Sequence, residues 1–350
     1  MRIPILLVLW LTLAGCATPR MGIDAPGNPA KAVMAVAETF VTTDPTVDAD
    51  DPELWADPRD PSRAVMFAAD KSDGLYVHNL DGSVRQFLPD GPLNNVDLRS
   101  GFVVDGREWV LVAASEREKY GIMVYLFDPD TLVTQLYGFI PTDIGEPYGF
   151  CLGKRGNDFY AIVNNKDGVI QQILLTAGHD GPKGAVKRTL KVGTQPEGCV
   201  VDDEAQRLYI GEEDVAIWRF AFDPEDAGEA TLIAQVDNHI FAADIEGLAI
   251  LRDGNLKYLI ASSQGDSTYP VFRIDGDAHV YVGRFAIVDG PEIDGVTGTD
   301  GVAAWSGPIG PYPEGLIAVH DDIDSPHRGQ QNYKLVDWRD VRRVLGLPGG

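Results

Sequence analysis

Charged and amide side chains recur at matching points along this chain, and their types sort with position. Lys71, Arg99, Arg117, Tyr148 and Lys166 come first, and Glu197, Glu213, Asp244, Glu246 and Asp300 come later, with Asp50, Asp51, Asp97 and Gln264 at further equivalent places. Lysine and arginine hold phosphate oxygens, arginine through paired N–H donors. Gathered carboxylates repel one another unless a hard cation offsets their charge, and calcium does so with an oxygen shell of roughly six to eight ligands. A ring that is cationic on one arc and acidic on the other suits a phosphate group bridged to metal ions. Any one of these residues alone is ordinarily a solvated turn residue. Their shared position makes the case for a site.

Three dipeptides define that position: Tyr148-Gly149, Glu197-Gly198 and Glu246-Gly247, where 197 − 148 and 246 − 197 both give 49. A fixed period near fifty in a strand-rich chain marks a propeller or solenoid. The step extends back to Arg99 and Asp50 and forward to Asp300-Gly301, which makes six copies. Second apolar runs follow at 64–71, 109–117, 159–166, 208–213, 258–264 and 316–321. Third runs stand at 75–77, 122–127, 169–175, 216–222, 269–274 and 333–338, and fourth runs at 84–88, 186–192, 232–236 and 281–288. Turns such as Asp73-Gly74, Asp81-Gly82, Asp167-Gly168 and Asp253-Gly254 separate them. Four short strands per repeat predict an all-β, six-bladed β-propeller with about four antiparallel strands per blade. The segment 32–43 is β-rich and is expected to supply the outer strand of the last blade. Innermost strands then surround a channel, so matching residues converge at its mouth.

Size and charge agree with this. The chain has 350 residues, 44% of them hydrophobic, and 29 Lys+Arg against 53 Asp+Glu give a formal charge of −24. Such an acidic surface excludes nucleic acid, which needs a basic face. Met1-Arg2, the apolar run 3–13 and Leu13-Ala14-Gly15-Cys16 form an export signal ending in a lipobox, with Cys16 as the lipidated residue. Ala17 supplies no retention Asp, which places the anchor in the outer membrane of a bacterial envelope. The expected organisation is a signal over 1–16, a Gly/Pro-rich tether over 17–30 and a propeller over 31–350. A propeller closes its own edges, so a monomer is expected. Cys151 and Cys199 occupy equivalent places in successive repeats; they pair if neighbouring strands bring them close, or are two small buried apolar residues. No Gly-x-Ser-x-Gly elbow and no strand-to-helix nucleotide loop is present, and of six histidines only His320 ends a run.

At this level of detail the chain resembles the β-propeller phytases, the calcium-dependent alkaline phytase family, from about Asp44 to Trp338. The matching segments are Asp50-Asp51-Pro52-Glu53-Leu54-Trp55, Leu93-Asn94-Asn95-Val96-Asp97-Leu98-Arg99, Tyr148-Gly149-Phe150, Glu212-Glu213-Asp214 with Ala216-Ile217-Trp218, Asp244-Ile245-Glu246-Gly247-Leu248, Ala261-Ser262-Ser263-Gln264-Gly265, Asp289-Gly290-Pro291-Glu292 and Gln331-Asn332-Tyr333-Lys334. The resemblance implies removal of phosphate from phytate (myo-inositol hexakisphosphate) by metal-activated water, with several calcium ions as cofactor and inositol phosphates as partners. It implies phosphate binding by Lys71, Arg117, Tyr148 and Lys166. It also implies a catalytic calcium cluster on Asp50, Glu197, Glu213, Asp244, Glu246 and Gln264, with Asp167 where the family has Glu. Asp51, Asn95, Asp97 and the Val96 carbonyl then serve structural calcium, as do Asp300 and Asn332. Ser72, Glu116 and Asp167 depart from the family pattern, and Asp167 is one methylene short. Two other readings stay open on the residues alone: another calcium-dependent propeller hydrolase such as a lactonase, and a noncatalytic anchored propeller that binds phosphorylated ligands.

Overall fold

The computed structural model describes residues 29–40, 48–325 and 330–349. Cys16 and most of the 17–30 tether lie outside them. The described chain forms six mainly antiparallel sheets, each built mainly from consecutive strands. After two short strands, β1 (Lys31–Val33) and β2 (Ala37–Glu38), blade 1 holds β3 (Ala49–Asp57), β4 (Asp60–Asp70), β5 (Gly74–His78) and β6 (Val84–Leu88). Blade 2 holds β7 (Leu93–Val104), β8 (Arg107–Glu116), β9 (Gly121–Asp128) and β10 (Val133–Pro141), and blade 3 holds β11 (Phe150–Arg155), β12 (Asp158–Asn164), β13 (Val169–Gly178) and β14 (Gly181–Lys191). Blade 4 comprises β15 (Pro196–Asp202), β16 (Arg207–Glu212), β17 (Ala216–Ala221) and β18 (Thr231–Gln235), and blade 5 comprises β19 (Ile245–Asp253), β20 (Leu256–Ser263), β21 (Tyr269–Asp275) and β22 (Ala278–Ile287). Blade 6 has only β23 (Val302–Ser306), β24 (Gly315–Asp321) and β25 (Asn332–Asp337) of its own, before the helix α1 (Trp338–Leu345).

The continuous apolar runs follow from burial on both sheet faces. Successive side chains point to opposite faces, so Val65, Phe67 and Ala69 of β4 pack toward blade 2 while Ala64, Met66 and Ala68 pack toward blade 6. In β8, Val110, Val112 and Ala114 join the blade 1 interface, and Leu111 and Ala113 the blade 3 interface. Six apolar clusters result, one between each pair of neighbouring blades, and the last links blade 6 to blade 1.

The ring closes through the N-terminal segment. As expected from 32–43, Ala37–Glu38 adds the outer strand of blade 6, with Ala37 opposite Leu335 and Glu38 opposite Lys334. The preceding residues do something else: β1 lies parallel on β22 and gives blade 5 a fifth strand. The fourth strand of blade 2, β10, escaped the sequence reading because Thr134, Gln135 and Gly138 interrupt its apolar character and a bulge lies between Leu136 and Gly138. Helix α1 begins at Asp337, whose carboxylate accepts from Arg339 N at 2.9 Å, and is pinned to blade 5 by Trp338 Nε1 and Arg342, each donating to Asp253 at 3.0 Å.

Candidate active site

The glycines of the repeat explain how the charged residues meet. A Cβ on Gly149 would lie 1.8 Å from the Glu197 carbonyl oxygen, and one on Gly198 would lie 1.8 Å from that of Glu246. The same construction on Gly247 meets Val302 N at 2.4 Å, and on Gly301 it meets Asp50 O at 2.8 Å. Each X-Gly pair thus sets its X side chain at the start of an innermost strand, with the glycine lying directly against the next blade's backbone. Gly247 N donates to Asp300 O at 3.2 Å and Gly301 N to Asp50 O at 3.3 Å, which ties the same seams.

Glu197, Glu213 and Glu246 converge there: each is buried and offers a carboxylate oxygen within 4.8 Å of the others. Asn94 Nδ2 donates to Glu197 Oε1 at 2.6 Å and Gln195 Nε2 to Glu213 Oε1 at 2.7 Å, whereas Glu246 Oε2 is buried with no hydrogen-bond partner. Burial, with the charges of Glu197 and Asp244, pushes Glu213 up to about 7. Burial and Glu197 hold Glu246 well above the usual carboxylate range, and burial and Asp214 raise Asp244. The donor set is hard oxygen, crowded and short of positive charge, which fits calcium rather than zinc.

These raised values carry a sign for stability. Between the unfolded and folded pKa of such a carboxylate the native state binds more protons than the unfolded chain, so stability falls as pH rises. In chelator, the melting temperature should therefore fall from pH 5 to pH 8, with Glu213 titrating near 7, and calcium at pH 8 should restore it. A chelated protein equally stable at both pH values would contradict this.

Beside this group, Lys71 Nζ lies 3.2 Å from Asp50 Oδ1 and 3.2 Å from Asp300 Oδ2. Burial opposes the ammonium charge, but Asp50 and Asp300 outweigh it and keep Lys71 protonated. Asp50 is itself pushed up by burial against the pull of Lys71, and its Oδ2 is buried without a partner. Gln264 donates its side-chain amide to Asp300 Oδ1. Backbone supports are His320 Nδ1, which accepts from Asp300 N at 3.2 Å, and Tyr333, whose hydroxyl accepts from Asp50 N at 3.1 Å and donates to Ala69 O at 2.9 Å. Across the mouth, Lys166 Nζ stands 4.4 Å over the Tyr148 ring, and burial with the nearby Glu197 and Glu246 charges holds the Tyr148 phenol neutral. Arg117 turns to Glu146, with Nη2 2.9 Å from Oε1.

Other expected residues lie in a turn beside Lys166, in the channel wall and in a second acidic group. Asp167 is exposed in the turn between β12 and β13, its amide donating to Asn165 Oδ1 at 3.1 Å. Arg99 does not join the cationic arc: it is held within the channel wall by Asp97 at 2.6 Å and Asp203 at 2.9 Å, because β7 carries it several residues past the mouth. Asp51, Asn95, Val96, Asp97 and Arg99 line a channel cavity of about 240 Å³, with Val96 N donating to Asp51 Oδ2 at 3.3 Å. Asn332 belongs to a separate acidic group, donating to Asp324 at 3.0 Å and to Glu38 at 3.3 Å around the buried Lys334 ammonium.

Sequence reasoning missed Asn94, Gln195, Asp214, Glu146 and Lys334. Asn94 lies inside a quoted segment, yet only the channel geometry shows that it, rather than Asn95, reaches Glu197. Cys151 and Cys199, left open above, form a disulfide with Cα atoms 5.7 Å apart.

A closed six-bladed propeller with buried carboxylates at one mouth, and amines beside them, defines an enzyme-type propeller with a site for cations and anions together. The chain belongs to the Phytase family, whose model matches residues 5–347. It is 38% identical over 314 residues to a 3-phytase of Bacillus subtilis (strain 168), covering 85% of this chain and 81% of that protein. In fold it is similar to a protein of unknown function from Bacteroides thetaiotaomicron, at a TM-score of 0.52 and 11% identity over 88% of this chain and 75% of the other.

Proposed function

We propose that this phytase hydrolyses phytate with calcium held at the channel mouth, and that the chain acts from a lipid anchor at Cys16 on the bacterial envelope. The observation that carries the calcium reading is the buried Glu197–Glu213–Glu246 group, whose charges lack counterions of their own. Those three residues, with Asp244, Asp50 and Gln264, would hold the ions. Calcium so bound would neutralise phosphate charge and make a bound water more acidic. Lys71 and Lys166 would hold phosphate oxygens, and Arg117 would join them by exchanging its Glu146 partner for the anion. Tyr148, kept as a neutral phenol, would offer a hydrogen-bond donor between the two arcs. The chain's own groups thus bind and orient the phosphate, and water serves as the nucleophile. The anchor reading is supported by the spacing of Leu13-Ala14-Gly15-Cys16 after an apolar run.

Inorganic phosphate release from phytate, measured with and without calcium, tests the reading. Lys71→Ala should lower release by about 10²-fold or more, as expected for loss of a charged group that stabilises a transferring phosphoryl oxygen. Unchanged release in excess chelator would overturn the role of calcium, and phytate binding without release would assign the channel to recognition only.

A further inference from the structure

The cationic and acidic arcs meet at two boundaries, and the structure closes them differently. Between blades 6 and 1 the Lys71 ammonium stands between Asp50 and Asp300, 3.2 Å from each, so opposite charges draw those blades together. Between blades 3 and 4 the ion pair among the described residues, Arg155 with Asp223 at 2.7 Å, lies at the far end of β11, and none joins the blades at the mouth. There Lys166 lies over the Tyr148 ring and takes part in no ion pair, while Glu197 adds its charge to Glu213 and Glu246. Mutual repulsion of three carboxylates pushes Glu197 away from its neighbours, toward the side of the seam where only neutral groups, the Tyr148 phenol and the Asn94 amide, face it.

This second boundary carries the covalent bond. Cys151 lies on β11, three residues past Tyr148, and Cys199 lies on β15, two residues past Glu197. At about 3.3 Å per strand residue, the bridge sits roughly 7 to 10 Å along the strands from both side chains. It is the only disulfide the sequence allows within the propeller, since the third cysteine is Cys16. Softer links flank it: Asn164 accepts from Gly149 N at 2.9 Å through Oδ1 and donates to Glu197 O at 3.1 Å through Nδ2.

We propose that the Cys151–Cys199 disulfide is a positioning element for the site, holding Glu197 at a set distance from Tyr148 and thereby setting the affinity for calcium. The inference rests on the calcium reading above. It is tested by calcium titration calorimetry on the substrate-free protein, together with phosphate release from phytate as a function of calcium. Three forms are compared with the native protein: one reduced by a phosphine, which delivers two electrons to the disulfide and becomes the phosphine oxide, water supplying its oxygen and the two thiol protons; Cys151→Ser/Cys199→Ser; and Cys151→Ala/Cys199→Val, which keeps an apolar filling without the bond. Loss of the bond should raise the calcium concentration at half-saturation by about tenfold, the size expected when support behind a ligand is removed. kcat at saturating calcium should stay within about threefold, because the ligands themselves remain. Reoxidation of the reduced protein should restore the native isotherm.

A folded protein with two titratable thiols and an unmoved calcium isotherm would overturn the proposal, leaving the bond a stabiliser only. Unfolding of all three forms at the assay temperature would also overturn it. A native protein that itself shows no calcium isotherm would instead refute the calcium reading, so the two failures are distinguishable.

Discussion

Glu197→Gln should give a protein that resists heat better than the native chain in chelator and releases almost no phosphate with calcium. The substitution keeps the shape and leaves Asn94 an oxygen to donate to, 2.6 Å away in the native protein. It removes one of three charges whose oxygens lie within 4.8 Å of one another. A like-charged pair at about 4 Å costs on the order of 4 kcal/mol at an effective dielectric of 20, and partial protonation already relieves part of this. A gain of about 1 to 3 kcal/mol without metal is therefore expected. With calcium present the same change deletes a ligand and a charge at the reacting phosphate, so activity should fall by about 10²- to 10³-fold, and the thermal shift produced by calcium should shrink. Melting curves with and without calcium, beside phosphate release, measure both effects. A variant less stable in chelator, with the native calcium shift intact, would mean that the three carboxylates are not a metal site.

Gly198→Ala is the second large effect, and it acts through space rather than charge. The new Cβ would stand 1.8 Å from the Glu246 carbonyl oxygen, a backbone atom on the neighbouring blade. No side-chain rotation relieves the clash, so the seam between blades 4 and 5 must open. Overpacking in a filled interior costs about 1 to 3 kcal/mol and more where neither side can yield, which places this variant at the upper end. Gly156→Ala is the informative comparison. Its φ is +61° and nothing lies within 4 Å of its added Cβ, so only the left-handed backbone is penalised, by about 1 to 2 kcal/mol. Urea midpoints should rank Gly198→Ala well below Gly156→Ala. The reverse order would show that the repeat glycines serve backbone conformation instead of blade spacing.

That comparison also shows what the sequence makes legible. The 49-residue step was visible because each X-Gly copy needs both a functional side chain and a close backbone approach, and neither tolerates drift. The doubly buried strands were visible as unbroken apolar runs for the same reason. Direction within the channel was not visible: Asn94 and Arg99 share β7, yet one reaches the carboxylates and the other lies deeper with Asp203. The pairing of Cys151 with Cys199 depended on the distance between innermost strands, which no spacing within one strand reveals. Asn332 was expected to serve calcium; the carboxylates gathered beside it, Glu38, Asp294 and Asp324, could not be read from its segment because that grouping depends on how the N-terminal segment closes the ring.

The latch formed by that segment has a consequence for the order of events in making the protein. Glu38 and Lys334 meet across 296 residues of chain, so the first described blade-closing strand waits for nearly the last one before it can pair. Contacts of such sequence separation form late, because the intervening loop entropy must be overcome first. Asp50 and Lys71 are translated early, but their partner Asp300 arrives only with blade 6. A chain still emerging from a ribosome therefore presents scattered acidic side chains instead of a converged pocket. If the site takes calcium as proposed, capture of the cation would be a closing event, in which the same step that seals the ring also assembles the site and rewards its completion.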